Sequence, residues 1–367
     1  MNYRERLLCV LQGTTPDCVP WFGDLDYWVF AQTKMNALPE KYHGDGLYQL
    51  HRDLGVGFYL QGFFPFKAVY RDVEVIEQED ELKKTRRVIT PYGEITELWR
   101  YLPDSYTWAL VEHFIKSSED LRAFRYWLEH TEYEPDYDKI YKRKKLIGNS
   151  GMVLCYTPKS PLMDMFVLYA GVESAIFCEI DEPDEFSEIM EIMEFKNGQA
   201  AQIVVDSDAE LVMIPENLSS EVIGKRLFEL YMRPYEEKWI KKIKEAGKYS
   251  LVHMDGTLKG LVREIASTGF NVIEAMTTAP VGDIPLEDLH NWVEEDTIIW
   301  GGLPGVYFTD LVSDDDFEKY VITALETMSK APRYVLGVAD QVPPGGTWER
   351  IKKVGELVEK YGRYNKT

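Results

Sequence analysis

Residues 249–275 read YSLVHMDGTLKGLVREIASTGFNVIEA. The first four, YSLV, are apolar and β-prone. Residues 258–267 repeat apolar side chains at helical spacing and stop near Gly269. Residues 270–275, FNVIEA, are apolar again. A strand, a helix and a second strand in that order predict a parallel pair joined by a crossover. The same alternation runs outward from this unit, beginning at about residue 206. Strands are predicted at 210–214, 297–302 and 333–338, and helices at 222–246, 285–293, 314–328 and 347–361. Pro234 should kink or split the first of these helices. In the N-terminal half, 18–22 (CVPWF) and 152–155 (MVLC) are candidate strands. Between them, 69–102 alternates around the turn TPYG and predicts an antiparallel meander. The alternation predicts an α/β fold on a parallel sheet, either a TIM-like barrel or a doubly wound fold, as one domain over 1–367 with an inserted meander at about 69–102. Dinucleotide and P-loop sites lack their glycine fingerprints.

Bulk properties narrow the function. A net charge of −21 and a pI near 4.8 repel nucleic acid and anionic membrane surfaces, so neither is expected as a partner. No stretch is apolar enough for a transmembrane helix, and the charged start MNYRERLLCVLQG does not read as a signal peptide. The four cysteines (Cys9, Cys18, Cys155, Cys178) are scattered and form no C-x-x-C, so reduced thiols in a cytoplasmic protein are expected.

The chemistry-bearing residues sit where the strands end. Glu216 follows 210–214, His253 and Asp255 end 249–252, Glu274 ends 270–273, Asp340 follows 333–338, and Asp24 and Asp26 follow 18–22. In a parallel barrel all of these ends open on one face. Carboxylates gathered there need a cation, a shared proton or basic partners. A divalent metal satisfies them most simply, and a His with carboxylates suits zinc. The plainer alternative is that several of these acids cap the helices that follow. Trp21, Tyr27 and Trp28 either line an apolar substrate pocket or pack in the core.

Several stretches resemble the uroporphyrinogen decarboxylase superfamily, which includes cobalamin-dependent methyltransferases. They are RERLLCVLQGTTPDCVP, HMDGTLKGLVREI, GFNVIEAMTTAPVGD, IIWGGLP and GVADQVPPGGT, in order along nearly the whole chain. The resemblance implies a distorted (β/α)8 barrel with its site at the C-terminal mouth, often as a homodimer. Two departures matter. Where the decarboxylase carries an arginine-rich RQAGRY motif, this chain has WFGDLDY, which is acidic. Where the thiol-methylating branch binds zinc through H-x-C-G and a later C-G-I-P-P-type segment, this chain has HMDG and DQVPP. His253 is kept, and Asp255 and Asp340 replace the two cysteines. The resemblance thus implies a metal-dependent methyltransferase acting on a small methylated substrate such as a methoxyaromatic. Its metal ligands would be His253, Asp255 and Asp340, with Glu274 and Glu216 nearby, and a corrinoid on a partner protein would take the methyl group. Alternatives are a decarboxylase of uroporphyrinogen or a related acid, with Asp24 or Asp26 stabilising a cationic intermediate, and a binder of small molecules or corrinoid without turnover.

Overall fold

The computed structural model describes residues 1–58, 62–330 and 332–364. Among the described residues, twelve strands follow in chain order: β1 (Phe66–Tyr70), β2 (Glu74–Glu79), β3 (Lys83–Thr90), β4 (Gly93–Leu102), β5 (Thr107–Glu112), β6 (Thr131–Pro135), β7 (Leu154–Tyr156), β8 (Leu211–Leu218), β9 (Tyr249–Met254), β10 (Val272–Met276), β11 (Ile298–Pro304) and β12 (Tyr334–Ala339). The last six form one parallel sheet in the order 12-11-10-9-8-7. Sequence order and spatial order coincide with no reversal, as in singly wound barrels rather than doubly wound sheets. All residues of β10, β11 and β12 are buried, as expected for strands covered on both faces.

Of the two N-terminal strand candidates, 152–155 corresponds to β7. The other, 18–22, makes single contacts: Trp21 bridges Leu336 of β12 in parallel, and the Phe22 N–H donates to the Leu336 carbonyl at 3.0 Å. Gly57 N–H donates to the Trp21 carbonyl at 2.9 Å, and Phe58 bridges Gly151, just before β7. Two short extended segments thus lie between the edges of the six-stranded sheet.

The two faces of the sheet differ. One gathers Leu154, Leu211, Met213, Leu251, Val272, Ile298 and Val335, one or two from each strand, against Leu7, Val10 and Leu11 of the helix Tyr3–Leu11. The other packs Val212, Val252, Ile273, Ile299 and Leu336 into the larger core under the helices. Side chains alternate between faces with a period of two, so this separation sets the direction of every later residue on the same strands.

The N-terminal insertion differs from its expected bounds. β2, β3, β4 and β5 form the antiparallel meander, which therefore runs from Glu74 to Glu112. β1 belongs elsewhere, pairing antiparallel with β6. The turn at Thr90–Gly93 is as read: Tyr92 N–H donates to Thr90 Oγ1 at 3.1 Å. The helix expected at 222–246 is split, with a wide turn at Phe228–Met232 followed by the helix Arg233–Glu245 and Pro234 in its first turn. All four cysteines are free.

Candidate functional site

His253 and Glu274 are register partners on the adjacent parallel strands β9 and β10. Each lies two residues beyond an apolar residue of the inner face, Leu251 and Val272, so both point to the same side. The result is a short hydrogen bond, His253 Nδ1 to Glu274 Oε2 at 2.6 Å, with Glu274 only 2% exposed. The other ring nitrogen, Nε2, stands 3.9 Å from Asp255 Oδ1 and 3.9 Å from Asp340 Oδ1. Both distances exceed hydrogen bonding. Burial works against charge on the imidazole, but Glu274, Asp340 and Asp255 outweigh it and raise His253 to about 9.

The backbone beyond the strand ends is bent to deliver these groups. Asp340 has φ +76°, in the left-handed region that Asp tolerates better than most residues. Ala275, after Glu274, has φ +64°, a conformation costly for a residue with Cβ and held here by a sheet irregularity between Glu274 and Met276. Asp24 is tied to the same corner. Its carbonyl accepts from Val342 N–H at 3.0 Å, and its Oδ1 accepts from Asp26 N–H at 2.8 Å. Burial, with Asp26, Glu274 and Asp340 close by, pushes the Asp24 carboxyl well above the usual range. Burial also raises Asp340, partly opposed by His253.

A cavity of about 170 Å³ opens on this group. His253, Glu274, Asp24 and Asp340 line it, joined by Tyr156, Lys159, Asn217 and Gln341. Asp255 is held at its side, with its N–H donating to the Leu218 carbonyl at 3.1 Å. The structure does not bring every expected residue here. Glu216 falls on the opposite side of β8 from Pro215 and Asn217, which do line the cavity. It is fully buried, and both its oxygens accept from Ser160 N–H, at 3.0 and 3.1 Å. Burial raises it to about 7, with Lys159 pulling the other way. Asp26 begins the helix Asp26–Lys34. Trp21 and Trp28 are core residues. Trp21 stacks on Phe308 at 6.3 Å, and Trp28 donates from Nε1 to the Gly346 carbonyl at 2.8 Å. Tyr27 donates its hydroxyl to the Ser105 carbonyl, tying the site's first helix to the meander.

Lys159 is the residue sequence reasoning passed over. It follows β7 at the same strand end as the acids, so the rule that found them applies to it equally. Burial lowers its amine, while Glu216 and Asp164 oppose that change, and Nζ donates to the Pro215 carbonyl. Asp164, raised by burial to about 7, accepts from Asn197 Nδ2 at 2.7 Å.

Among the described residues, no three His, Cys, Asp or Glu side chains already stand in position to hold a metal ion. The donor set at His253 nevertheless has the chemistry of a first-row metal site: one imidazole, two carboxylates facing its Nε2, and a carboxylate fixing its Nδ1. Without a cation, the same geometry holds an imidazolium among acids.

The uroporphyrinogen decarboxylase family model matches residues 140–361, more than half of the chain, and the chain belongs to that family. A solved methyltransferase from Methanosarcina mazei superposes with a TM-score of 0.63 over 98% of this chain and 99% of its own, at 12% identity. That likeness concerns the fold. No curated protein matches the chain. Among the described residues, no single helix is long and apolar enough to cross a membrane.

Proposed function

We propose that this chain is a metal-dependent, methyltransferase-like enzyme whose parallel sheet closes into a (β/α)8 barrel through the segments at Trp21 and Phe58. The observation that carries the reading is the setting of His253. Its Nδ1 is fixed by Glu274 at 2.6 Å, while its Nε2 faces Asp255 and Asp340 at equal distances of 3.9 Å. His253, Asp255 and Asp340 would hold a divalent ion, with zinc the best match to this donor set. Such an ion supplies Lewis acidity toward the oxygen or nitrogen that carries a methyl group, and a corrinoid on a partner protein would accept that group. The chain's own residues do the rest. Glu274 sets the tautomer and orientation of His253, as carboxylates beside metal-binding histidines do. Asp24 stands at the cavity wall, where burial and the neighbouring acids push its carboxyl well above the usual range and favour its protonated form. Carboxylates in place of thiolates make the site harder, which favours an ether or amine substrate over a thiol.

Metal analysis of the purified chain tests this reading, with His253→Ala alongside. About one equivalent of bound zinc is expected in the parent and none in the variant. No metal in either removes the ligand assignment.

A second reading rests on the charge of His253. An imidazolium held by Glu274 balances the acids with no ion, leaving Asp24 as a proton donor for a metal-free decarboxylation. Incubation with uroporphyrinogen separates the two. Coproporphyrinogen formation that survives chelation supports the second reading, and its absence supports the first.

A further inference from the structure

Lys159 has no role in the metal reading, yet its amine is built into the wall between two spaces. One is the acid cavity at His253. The other is a neighbouring chamber of about 460 Å³ that shares Tyr156, Lys159 and Pro215 with it. Phe66 and Tyr70 of β1, Tyr133 of β6, Trp127 and Tyr169 give that chamber a largely aromatic wall. Lys159 Nζ donates to the Pro215 carbonyl. Burial lowers the amine from its ordinary value, so more of it is uncharged than on an exposed lysine at the same pH. An acid is fixed beside it. Asp164 ends the short helix Pro161–Asp164, lines the chamber and is only 4% exposed. One buried side chain, Asn197 of the helix Pro183–Asp206, ties the two residues together. Its Nδ2 donates to the Lys159 carbonyl at 3.1 Å and to Asp164 Oδ2 at 2.7 Å. Burial raises Asp164 to about 7, so its carboxyl can both give and take a proton near neutral pH.

A desolvated amine, an acid–base carboxyl and a third group that orients both make a nucleophile able to attach carbonyl compounds. The aromatic wall favours an apolar body on the carbonyl carbon. The net charge of −21 disfavours an anionic one. We propose that Lys159 captures an apolar aldehyde as an imine within this chamber. The amine nitrogen bonds to the carbonyl carbon and passes a proton to the oxygen, giving a carbinolamine. Asp164 then protonates the hydroxyl, the C–O bond breaks and water leaves. The product is a protonated imine facing the Asp164 carboxylate. The step consumes no oxidant or reductant, and it does not rest on the methyl-transfer reading.

Reductive trapping on the full chain tests this. Benzaldehyde is the apolar probe and glyoxylate the anionic one. Cyanoborohydride delivers hydride to the imine carbon, so the adduct survives peptide mapping by mass spectrometry. With benzaldehyde at pH 7, Lys159 should be labelled about tenfold faster than the exposed Lys142 and Lys241. Asp164→Asn keeps an oxygen for Asn197 but has no proton to give. It should slow labelling of Lys159 about tenfold or more and leave Lys241 unchanged. Ala68→Trp fills the chamber from β1 and should also slow it, with Lys67→Trp, on the opposite face of that strand, near the parent. Labelling should persist in His253→Ala and in chelated protein, which separates this site from the metal reading that metal analysis tests alone. Labelling of Lys159 no faster than that of Lys241, or its loss on chelation, would overturn the proposal. Parent-like labelling in Asp164→Asn would remove the acid, and in Ala68→Trp the chamber. A higher ratio of Lys159 to Lys241 labelling with glyoxylate than with benzaldehyde would overturn the choice of an apolar aldehyde.

Discussion

At the scale of single residues, the site turns on one hydrogen bond. Glu274 is nearly fully buried and has His253 as its close partner, so removing its charge removes the main reason for a raised imidazole. Glu274→Gln should therefore lower the His253 titration from about 9 by about one unit or more in chelated protein. Imidazole proton shifts followed against pH measure this directly, and an unmoved midpoint would show that Asp255 and Asp340 hold the charge. The sign carries into stability. A raised folded value stabilises fully below the ordinary histidine pKa near 6.5, and that contribution is lost as pH rises through about 9.

Glu216 makes a second residue-scale case, away from the acid cavity. Its folded value of about 7 lies above its usual 4.5. Its contribution is present at low pH and fades as pH rises through 7. Gln stays neutral at every pH and keeps an oxygen for the Ser160 N–H. Glu216→Gln should thus gain about 1–3 kcal/mol at pH 8 and little at pH 4. Urea denaturation at the two pH values checks it, and equal gains at both would remove protonation as the cause.

At the scale of elements, the strands at the sheet's centre were legible and the connections were not. Strands such as β9 and β10 announce themselves by short apolar runs, and their ends carried His253 and Glu274 into correct neighbourhood. The crossover between them was less readable. A helix over 258–267 is expected from periodicity, yet the α-helix covers only Val262–Ala266. The Asp283 carboxylate takes the N–H groups of Leu258 and Lys259, and Gly260 lies so close to Ser220 that a Cβ would fall 2.9 Å from it. Both constraints come from other loops, so no local pattern contains them. β1 and β6 were missed for a similar reason, since their pairing spans the whole four-stranded meander between them. The aromatic pair Trp21 and Trp28 shows a third limit: periodicity cannot separate a pocket wall from a core wall.

An element-scale prediction follows from β11. Gly301 has φ +150°, and a Cβ there would meet backbone atoms of Met276 at 2.9 and 3.0 Å. Backbone cannot swing aside as a side-chain tip can. Gly301→Ala should cost about 2–4 kcal/mol. Chemical denaturation measures the loss, and a change within about 0.5 kcal/mol would mean that the sheet yields at this point.

At the scale of the whole molecule, the issue is whether the sheet has edges. An open six-stranded sheet would leave one side of β7 and one side of β12 without strand partners, a liability that proteins cover or close. Among the described residues, four of the amides that bear on this are Phe22 donating to Leu336, Leu336 to Pro20, Gly57 to Trp21 and Phe58 to Ser150. In a closed ring these four belong to the same cooperative unit as the interior of β9, and they should exchange with solvent only when the molecule opens globally. Native-state hydrogen exchange should then place them within about 1 kcal/mol of amides such as Val252 and Ile273. In an open sheet they would behave as frayed edge contacts and exchange far earlier than β9 and β10. Closure also determines the mouth. Asp24 reaches Asp340 and Glu274 only because the 18–22 segment is held against β12, so loss of protection at Phe22 would also loosen the corner that holds Asp24.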